Sequence, residues 1–191
     1  MSREPTRDKN NKKFEKQTPD GNAEQENNGN KPQLIPLQRC FESKSDAELF
    51  TMLQKKADGG DAEAQYELGI IFADGQGVTR NFKKGMEWLQ RSAKGGFPLA
   101  QFCLGSIYFN GRGVQRDDTE AVEWFKKATE QNHLDSQFNL GVMFENGWGV
   151  QRNVDKALCW YKRAASQGQK EAKQTMERFQ NYPSRVQNPK C

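Results

Sequence analysis

Side chains that could act as nucleophiles, bases or metal ligands are few in this sequence of 191 residues. It has one histidine, His133, and four cysteines. A catalytic histidine needs a nucleophile to activate or a carboxylate to orient its ring, and no such partner is placed near His133 by a recurring pattern. We therefore expect His133 to be a surface side chain at the start of a helix.

The cysteines and carboxylates do not form a recognisable metal site or active site either. No Cys-x-x-Cys pair occurs among the cysteines, which are Cys40, Cys103, Cys159 and Cys191. A tetrahedral zinc site cannot be built economically from these and a single histidine. We expect reduced thiols, no metal and no cofactor. Glu63 and Glu67, four residues apart, follow a common pattern of solvated helix faces.

Charge and hydropathy restrict the classes of partner. Residues 1–40 hold eight basic and six acidic side chains and residues 181–191 hold two basic ones, so residues 41–180 are formally neutral. A neutral domain offers no footprint for a polyanion, which argues against nucleic acid. The first 33 residues contain no apolar run of a secretory signal, and no stretch approaches the ~20 apolar residues of a membrane span. We expect a cytoplasmic monomer without membrane insertion, although export by a non-Sec route stays open.

A period of 36 residues organises the middle of the chain. Identical residues recur at this step in six columns: Gly69, Gly105 and Gly141; Trp88, Trp124 and Trp160; Leu68, Leu104 and Leu140; Gly75, Gly111 and Gly147; Gly77, Gly113 and Gly149; Val78, Val114 and Val150. In each unit, apolar residues at helical spacing, such as positions 64, 68, 71 and 72, predict a first helix. A Gly-x-Gly-Val loop ends it, and Asn81, Asp117 or Asn153 caps a second helix.

These patterns predict seven segments. They are a disordered polar tail at 1–40, an N-terminal cap helix at 41–59, repeats at 60–95, 96–131 and 132–168, a C-terminal cap helix at 169–180 and a flexible tail at 181–191. The N-terminal cap helix is expected to pack through Leu49, Met52 and Leu53. Residues 1–40 carry too few large apolar side chains to offset chain entropy. Their Leu34-Ile35-Pro36-Leu37 segment could dock on the cap helix or serve as a linear motif.

Three segments resemble Sel1-like repeats, relatives of tetratricopeptide repeats: Ala64-Gln65-Tyr66-Glu67-Leu68-Gly69, Gly111-Arg112-Gly113-Val114 and Ala121-Val122-Glu123-Trp124-Phe125-Lys126-Lys127-Ala128. The resemblance covers about residues 46–180. It implies an all-α, right-handed α/α solenoid of antiparallel helix pairs, with three full 36-residue Sel1-like repeats plus flanking cap helices. It also implies that the first helix of each pair lines a concave face.

Two columns of the repeats have competing interpretations, and two positions depart from the repeat pattern. The tryptophan column could be a cofactor box, but aromatic residues stacked between helix pairs stabilise solenoids, so we expect it to be core, facing the next pair. The column Arg80, Arg116 and Arg152 could clamp an acidic peptide or be a solvated loop charge inherited by duplication. Gly85 replaces an alanine and should weaken its helix by ~1 kcal/mol. Asp118 replaces an apolar residue and removes one contact between helices.

The solvent-facing side of the first helices is the candidate partner-binding surface. We call it the first-helix stripe: Glu63, Glu67, Ile70 and Asp74; Leu99, Cys103, Ser106 and Asn110; Asp135, Asn139, Val142 and Asn146. Its apolar members, Ile70, Leu99 and Val142, stand where water is expected. Asn110, Asn139 and Asn146 could hydrogen-bond an extended peptide. Phe109 and Trp148 are aromatic in one copy only, which suits contact with a partner, with loop packing as the alternative.

Three functional hypotheses follow. The leading one is a non-catalytic adaptor that holds a peptide or helix of a protein partner in the concave groove. The second is a regulatory or secreted effector acting through its N-terminal arm; deletion of residues 1–40 separates the two, because the adaptor should still bind. Some Sel1-like proteins resemble penicillin binders or weak β-lactamases, but the Ser-x-x-Lys and Lys-Thr-Gly motifs of serine β-lactamases do not occur here. We therefore expect no turnover of nitrocefin.

Overall fold

The described residues, 44–180 of a computed structural model, form eight α-helices and no strands. The helices are α1 (Lys44–Asp58), α2 (Ala62–Asp74), α3 (Phe82–Lys94), α4 (Pro98–Asn110), α5 (Asp118–Glu130), α6 (Leu134–Asn146), α7 (Val154–Ser166) and α8 (Lys170–Gln180). The three repeats are the pairs α2–α3, α4–α5 and α6–α7, and each pair packs on the next helix along the chain. The predicted all-α solenoid of helix pairs is confirmed.

The predicted helix ends are also confirmed. The first helices α2, α4 and α6 end at glycines in the left-handed conformation, with φ of 76° at Gly75, 64° at Gly111 and 77° at Gly147. Left-handed backbone satisfies the last carbonyls of a helix, and glycine adopts it without steric cost. The second helices begin at Asn81, Asp117 and Asn153, whose side chains accept hydrogen bonds from backbone amides of the first turn.

The core includes the leucine and tryptophan columns that recur in every repeat. Leu68, Leu104 and Leu140 are each 0% exposed. Trp88 and Trp124 are buried as well, in agreement with the core interpretation, and Trp160 is partly buried and packs against a core cluster. Trp124 clusters with α3 and α4, which places it against the preceding helix pair and not the following one.

Glycines inside the helices allow the two helices of a pair to approach closely. A Cβ atom at Gly105 would lie 2.6 Å from the Phe125 ring. At Gly85 it would lie 2.7 Å from both the Ala73 nitrogen and the Gly69 oxygen. Gly85 therefore has a packing role that the expectation of a weakened helix did not include, because α2 and α3 approach too closely there for the methyl group of alanine.

The N-terminal cap helix packs differently from the expectation. Leu53 contacts the core, but Leu49 and Met52 are 55% and 52% exposed. They stand 36 residues before Gly85 and Trp88. In the full repeats, the first helix of the pair packs over these positions. No first helix precedes α1 among the described residues, so the two side chains have nothing to pack against there.

The C-terminal cap helix α8 packs on the third repeat through apolar residues and carries a charged residue at a glycine position of the repeats. Ala172 is fully buried and Phe179 contacts the ring of Tyr161. Glu177, which stands one repeat after Gly141, is exposed. The predictions for residues 1–40, for Leu34-Ile35-Pro36-Leu37 and for residues 181–191 concern segments outside the described residues. No helix between residues 44 and 180 is long and apolar enough to cross a membrane.

Candidate partner-binding surface

The twelve residues of the first-helix stripe all lie outside the core. Glu63, Asn110, Asp135 and Asn146 are exposed, and the other eight are partly buried. Ile70 and Cys103 pack partly against the core cluster between the first two repeats. The apolar part of the stripe is therefore a set of half-covered side chains with limited exposed area.

Two of the asparagines already make hydrogen bonds within their own helices. The Nδ2 atom of Asn110 donates to the Ser106 carbonyl, and that of Asn146 donates to the Val142 carbonyl, each at 2.8 Å. Each bond uses one of the two N–H groups of the amide. A bound peptide would therefore be recognised through the second N–H and the carbonyl oxygen of each side chain.

The free thiol in the stripe is not suited to nucleophilic chemistry. Cys103 is a free cysteine that forms a hydrogen bond with the Tyr66 hydroxyl. Burial raises the pKa of the Cys103 thiol to about 11. The thiolate, which is the nucleophilic form, is therefore scarce at neutral pH.

Cys159 differs from the expectation of reduced thiols because it is disulfide-bonded. The repeat pattern contains no information on which cysteines the fold brings together.

The two aromatic candidates pack against each other. The rings of Phe109 and Trp148 lie 5.4 Å apart, and the Arg116 guanidinium lies 5.1 Å from the Phe109 ring. Loop packing thus accounts for both side chains, although Trp148 stays 37% exposed. In the preceding repeat the position of Trp148 is held by Arg112, which forms an ion pair with Asp74 at 3.0 Å. This position therefore carries a contact between repeats in both copies.

The arginine column has a structural role that neither earlier interpretation included. The Nε atom of Arg80 donates to the Ala73 carbonyl at 3.0 Å, and that of Arg152 donates to the Glu145 carbonyl at 2.8 Å. Both arginines thereby hold the loop against the end of the first helix. Arg116 instead pairs with Asp118 through two hydrogen bonds of 2.7 and 3.0 Å. Asp118, which lacks an apolar contact, thus gains an ionic one.

A column of buried glutamines was missed in the sequence. Gln65, Gln101 and Gln137 recur at the 36-residue step and are at most 8% exposed. Gln65 donates to the Ala57 carbonyl at 3.0 Å and Gln101 to the Ala93 carbonyl at 3.2 Å, so each bonds the preceding second helix. The sequence signal for this column was the identity of the three residues at the 36-residue step, on the buried side of the first helices. Gln65 and Gln101 thus contribute polar contacts to the preceding helix, whereas Gln137 accepts from Gln167 within its own repeat, and none of the three lines the stripe.

His133 is a helix cap and not a freely exposed side chain. Its Nδ1 atom accepts a hydrogen bond from the Ser136 amide at 3.3 Å, at the start of α6. Its ring lies 4.7 Å from the Phe102 ring, and the side chain is partly buried. Burial lowers the pKa of His133, with a smaller opposing effect of Asp135. The neutral imidazole is thus the form that the fold stabilises.

The capping role predicts a pH dependence of stability. Because the folded pKa lies below the ordinary 6.5, the unfolded chain binds more protons in this range, and the free energy of unfolding should fall as pH drops below about 6.5. His133→Asn keeps a capping side chain without a titrating ring. Urea denaturation of both proteins between pH 7.5 and 5 should show a steeper loss for the wild type, whereas parallel curves would contradict this role.

The described part of the chain contains no group of three or more His, Cys, Asp or Glu side chains placed to hold a metal ion. Its geometry is that of an α-helical repeat scaffold with a variable, solvent-facing stripe. The chain belongs to the Sel1 repeat family, whose repeat model matches residues 62–97, 98–133 and 134–169. Proteins of this family are generally protein-interaction scaffolds and typically lack enzymatic activity.

Solved structures support the same assignment. The chain is 36% identical to a Sel1 repeat protein from Oxalobacter formigenes, with a TM-score of 0.66, covering 68% of this chain and 98% of that one. It is 38% identical to a protective antigen with an SLR fold from uropathogenic Escherichia coli strains, with a TM-score of 0.65, over 66% of this chain. In that case it spans only 27% of the other chain. No curated protein matches the sequence.

Proposed function

We propose that this protein is a non-catalytic adaptor that binds a segment of a protein partner along the first-helix stripe. The observation that carries the proposal is the contrast between two faces of the same helices. On the buried face the leucine, glycine and glutamine columns are identical in all three repeats. On the stripe three of the four positions differ in all three copies, and the fourth is aspartate in one copy and asparagine in two, while all remain outside the core. Packing does not account for that variation, whereas recognition of one asymmetric partner does.

The chemistry of the stripe suits a polypeptide ligand. Half-exposed Leu99 and Val142 offer small apolar contacts, and Asn139 and Asn146 offer amides that can both donate and accept. Such a mixture of modest apolar area and adaptable polar groups is common where an extended chain is held. We also propose that the protein acts as a monomer and that the partner is a protein, since the repeat region is formally neutral.

Asn139→Ala combined with Asn146→Ala is expected to weaken partner binding without lowering the melting temperature by more than about 2 °C. Each lost hydrogen bond is worth about 1 kcal/mol, so binding should fall at least tenfold. A photo-crosslinking residue at Ser106, in the full chain and in native lysate, should label the partner; the same residue at Glu123, on the outer face of α5, is the matched control. Equal labelling from both positions, or unchanged capture by the double variant, would count against the proposal.

A further inference from the structure

In the helices of the three repeats, basic side chains occur only in the second helices. The first helices α2, α4 and α6 carry five acidic side chains and no basic one. The second helices α3, α5 and α7 carry nine basic and six acidic side chains. The formal neutrality of residues 41–180 therefore conceals an acidic set of first helices and a net basic set of second helices.

Two of the five carboxylates are paired within the fold. Asp74 forms an ion pair with Arg112 at 3.0 Å. Glu145 accepts a hydrogen bond from the Tyr161 hydroxyl at 2.7 Å and forms an ion pair with Arg178 at 3.3 Å. Both lie at the C-terminal ends of their helices. The carboxylates in the N-terminal halves, Glu63, Glu67 and Asp135, form no ion pair with any residue that the structure describes.

The unpaired carboxylates are only partly explained by helix stability. Glu63 and Asp135 lie in the first turn, where the helix dipole favours a negative charge. Glu67 lies one turn farther on, is partly buried, and has its pKa raised by burial and then by the neighbouring Glu63. Lys56 on α1 opposes this effect without forming an ion pair. Burial and the neighbouring Glu63 thus disfavour the ionised form of Glu67, and no cation among the described residues forms an ion pair with it.

An apolar residue separates these carboxylates along the stripe. Leu99 of α4 occupies the repeat position held by Glu63 in α2 and by Asp135 in α6. The N-terminal halves of the three first helices thus present a carboxylate pair, a leucine and a carboxylate in succession. If neighbouring layers of the solenoid are about 10 Å apart, as packed helices are, the two acidic ends are separated by about 20 Å. An extended chain covers that distance in about six residues.

We infer that the first-helix stripe binds a basic polypeptide segment in which cationic side chains flank an apolar one. The inference rests on the proposed adaptor function and adds the class of partner. The cations of such a segment would pair with Glu63, Glu67 and Asp135, and its apolar side chain would lie on Leu99. The second helices α3 and α7 are net basic, whereas α5 carries four acidic and two basic side chains, so a variant that includes an exposed carboxylate of α5 is the matched control.

The test uses the full chain and two fluorescein-labelled peptides, Lys-Lys-Ser-Gly-Leu-Ser-Gly-Lys-Lys and the same sequence with every lysine replaced by glutamate. Fluorescence anisotropy at about 50 mM salt should show binding of the lysine peptide only, weakened by added salt. Glu63→Gln, Glu67→Gln and Asp135→Asn together should weaken it at least tenfold. The matched variant Glu87→Gln, Glu123→Gln and Asp155→Asn has the same net charge and should bind like the wild type.

Equal weakening in both triple variants would mean attraction by overall charge and would overturn the inference. Binding of the glutamate peptide with similar affinity, or no binding of the lysine peptide, would overturn it as well. Circular dichroism of the variants confirms that the helices are intact. If the Ser106 crosslink still captures a partner while the peptides fail, only the basic class of partner is wrong; if both fail, the adaptor proposal is wrong too.

Discussion

Gly149→Ala is expected to destabilise the repeats by about 3–5 kcal/mol, whereas Gly111→Ala should cost only about 1–2 kcal/mol. Both glycines have a φ of 64°, so an alanine pays the same left-handed backbone strain at either position. They differ in their surroundings. A Cβ atom at Gly149 would overlap the Asp118 carbonyl at the start of α5, while one at Gly111 would lie 3.3 Å from the Cβ of Arg116.

The comparison isolates the contact between the second and third repeats. Neither backbone can move away without separating the Gly149 loop from α5, since the overlapping atoms belong to the main chain. Urea denaturation followed by circular dichroism gives both free energies of unfolding. Gly168→Ala, at a φ of 100° with no atom within 4 Å of the added Cβ, controls for backbone strain alone. Similar losses at Gly149 and Gly111 would show that the repeats are less tightly apposed than described.

Trp124→Ala should cost about 3–5 kcal/mol, and Trp148→Ala less than about 1 kcal/mol. Trp124 is 7% exposed, clusters with α3 and α4, and donates from Nε1 to the Glu120 carboxylate at 2.8 Å. Its removal would leave a cavity at the junction of the first two repeats. Trp148 is 37% exposed and, among the described residues, packs on the ring of Phe109.

Thermal unfolding of the two variants measures the difference. Trp124→Phe is a useful intermediate, because it keeps an aromatic ring and loses the hydrogen bond, and it should fall between the wild type and Trp124→Ala. A loss at Trp148 as large as that at Trp124 would mean that the loop contact contributes to the core. A small loss at Trp124 would contradict the core assignment of the tryptophan column.

The fold was predictable because its determinants are local and repeated. Three copies of the same glycine, leucine and tryptophan positions indicate where a helix ends, which face is buried and where the next helix begins. The caps at Asn81, Asp117 and Asn153 lie where their side-chain chemistry places them. Each inference needed only residues within one turn or one repeat, and the repetition supplied three independent tests of it.

Errors arose where the outcome depends on a neighbour that the pattern does not specify. Gly85 looked like a weakened alanine position, but the approach of α2 and α3 leaves no room for a methyl group. Leu49 and Met52 have the spacing of a buried face yet are exposed, because no first helix precedes α1 in the described part of the chain. The buried glutamines had a visible 36-residue spacing, but their significance comes from the carbonyls of Ala57 and Ala93, which only packing brings near.

For the candidate site, the sequence by itself determined which side of each first helix is free to vary, because helical periodicity assigns a residue to the buried or the solvent-facing side. Tertiary structure alone decided which of the free side chains already have partners. It pairs Asp74 with Arg112 and Phe109 with Trp148, and it leaves Glu63 and Asp135 without an ion pair among the described residues. The physical reason is that such pairs join atoms from different repeats, and their distances depend on how the helices stack.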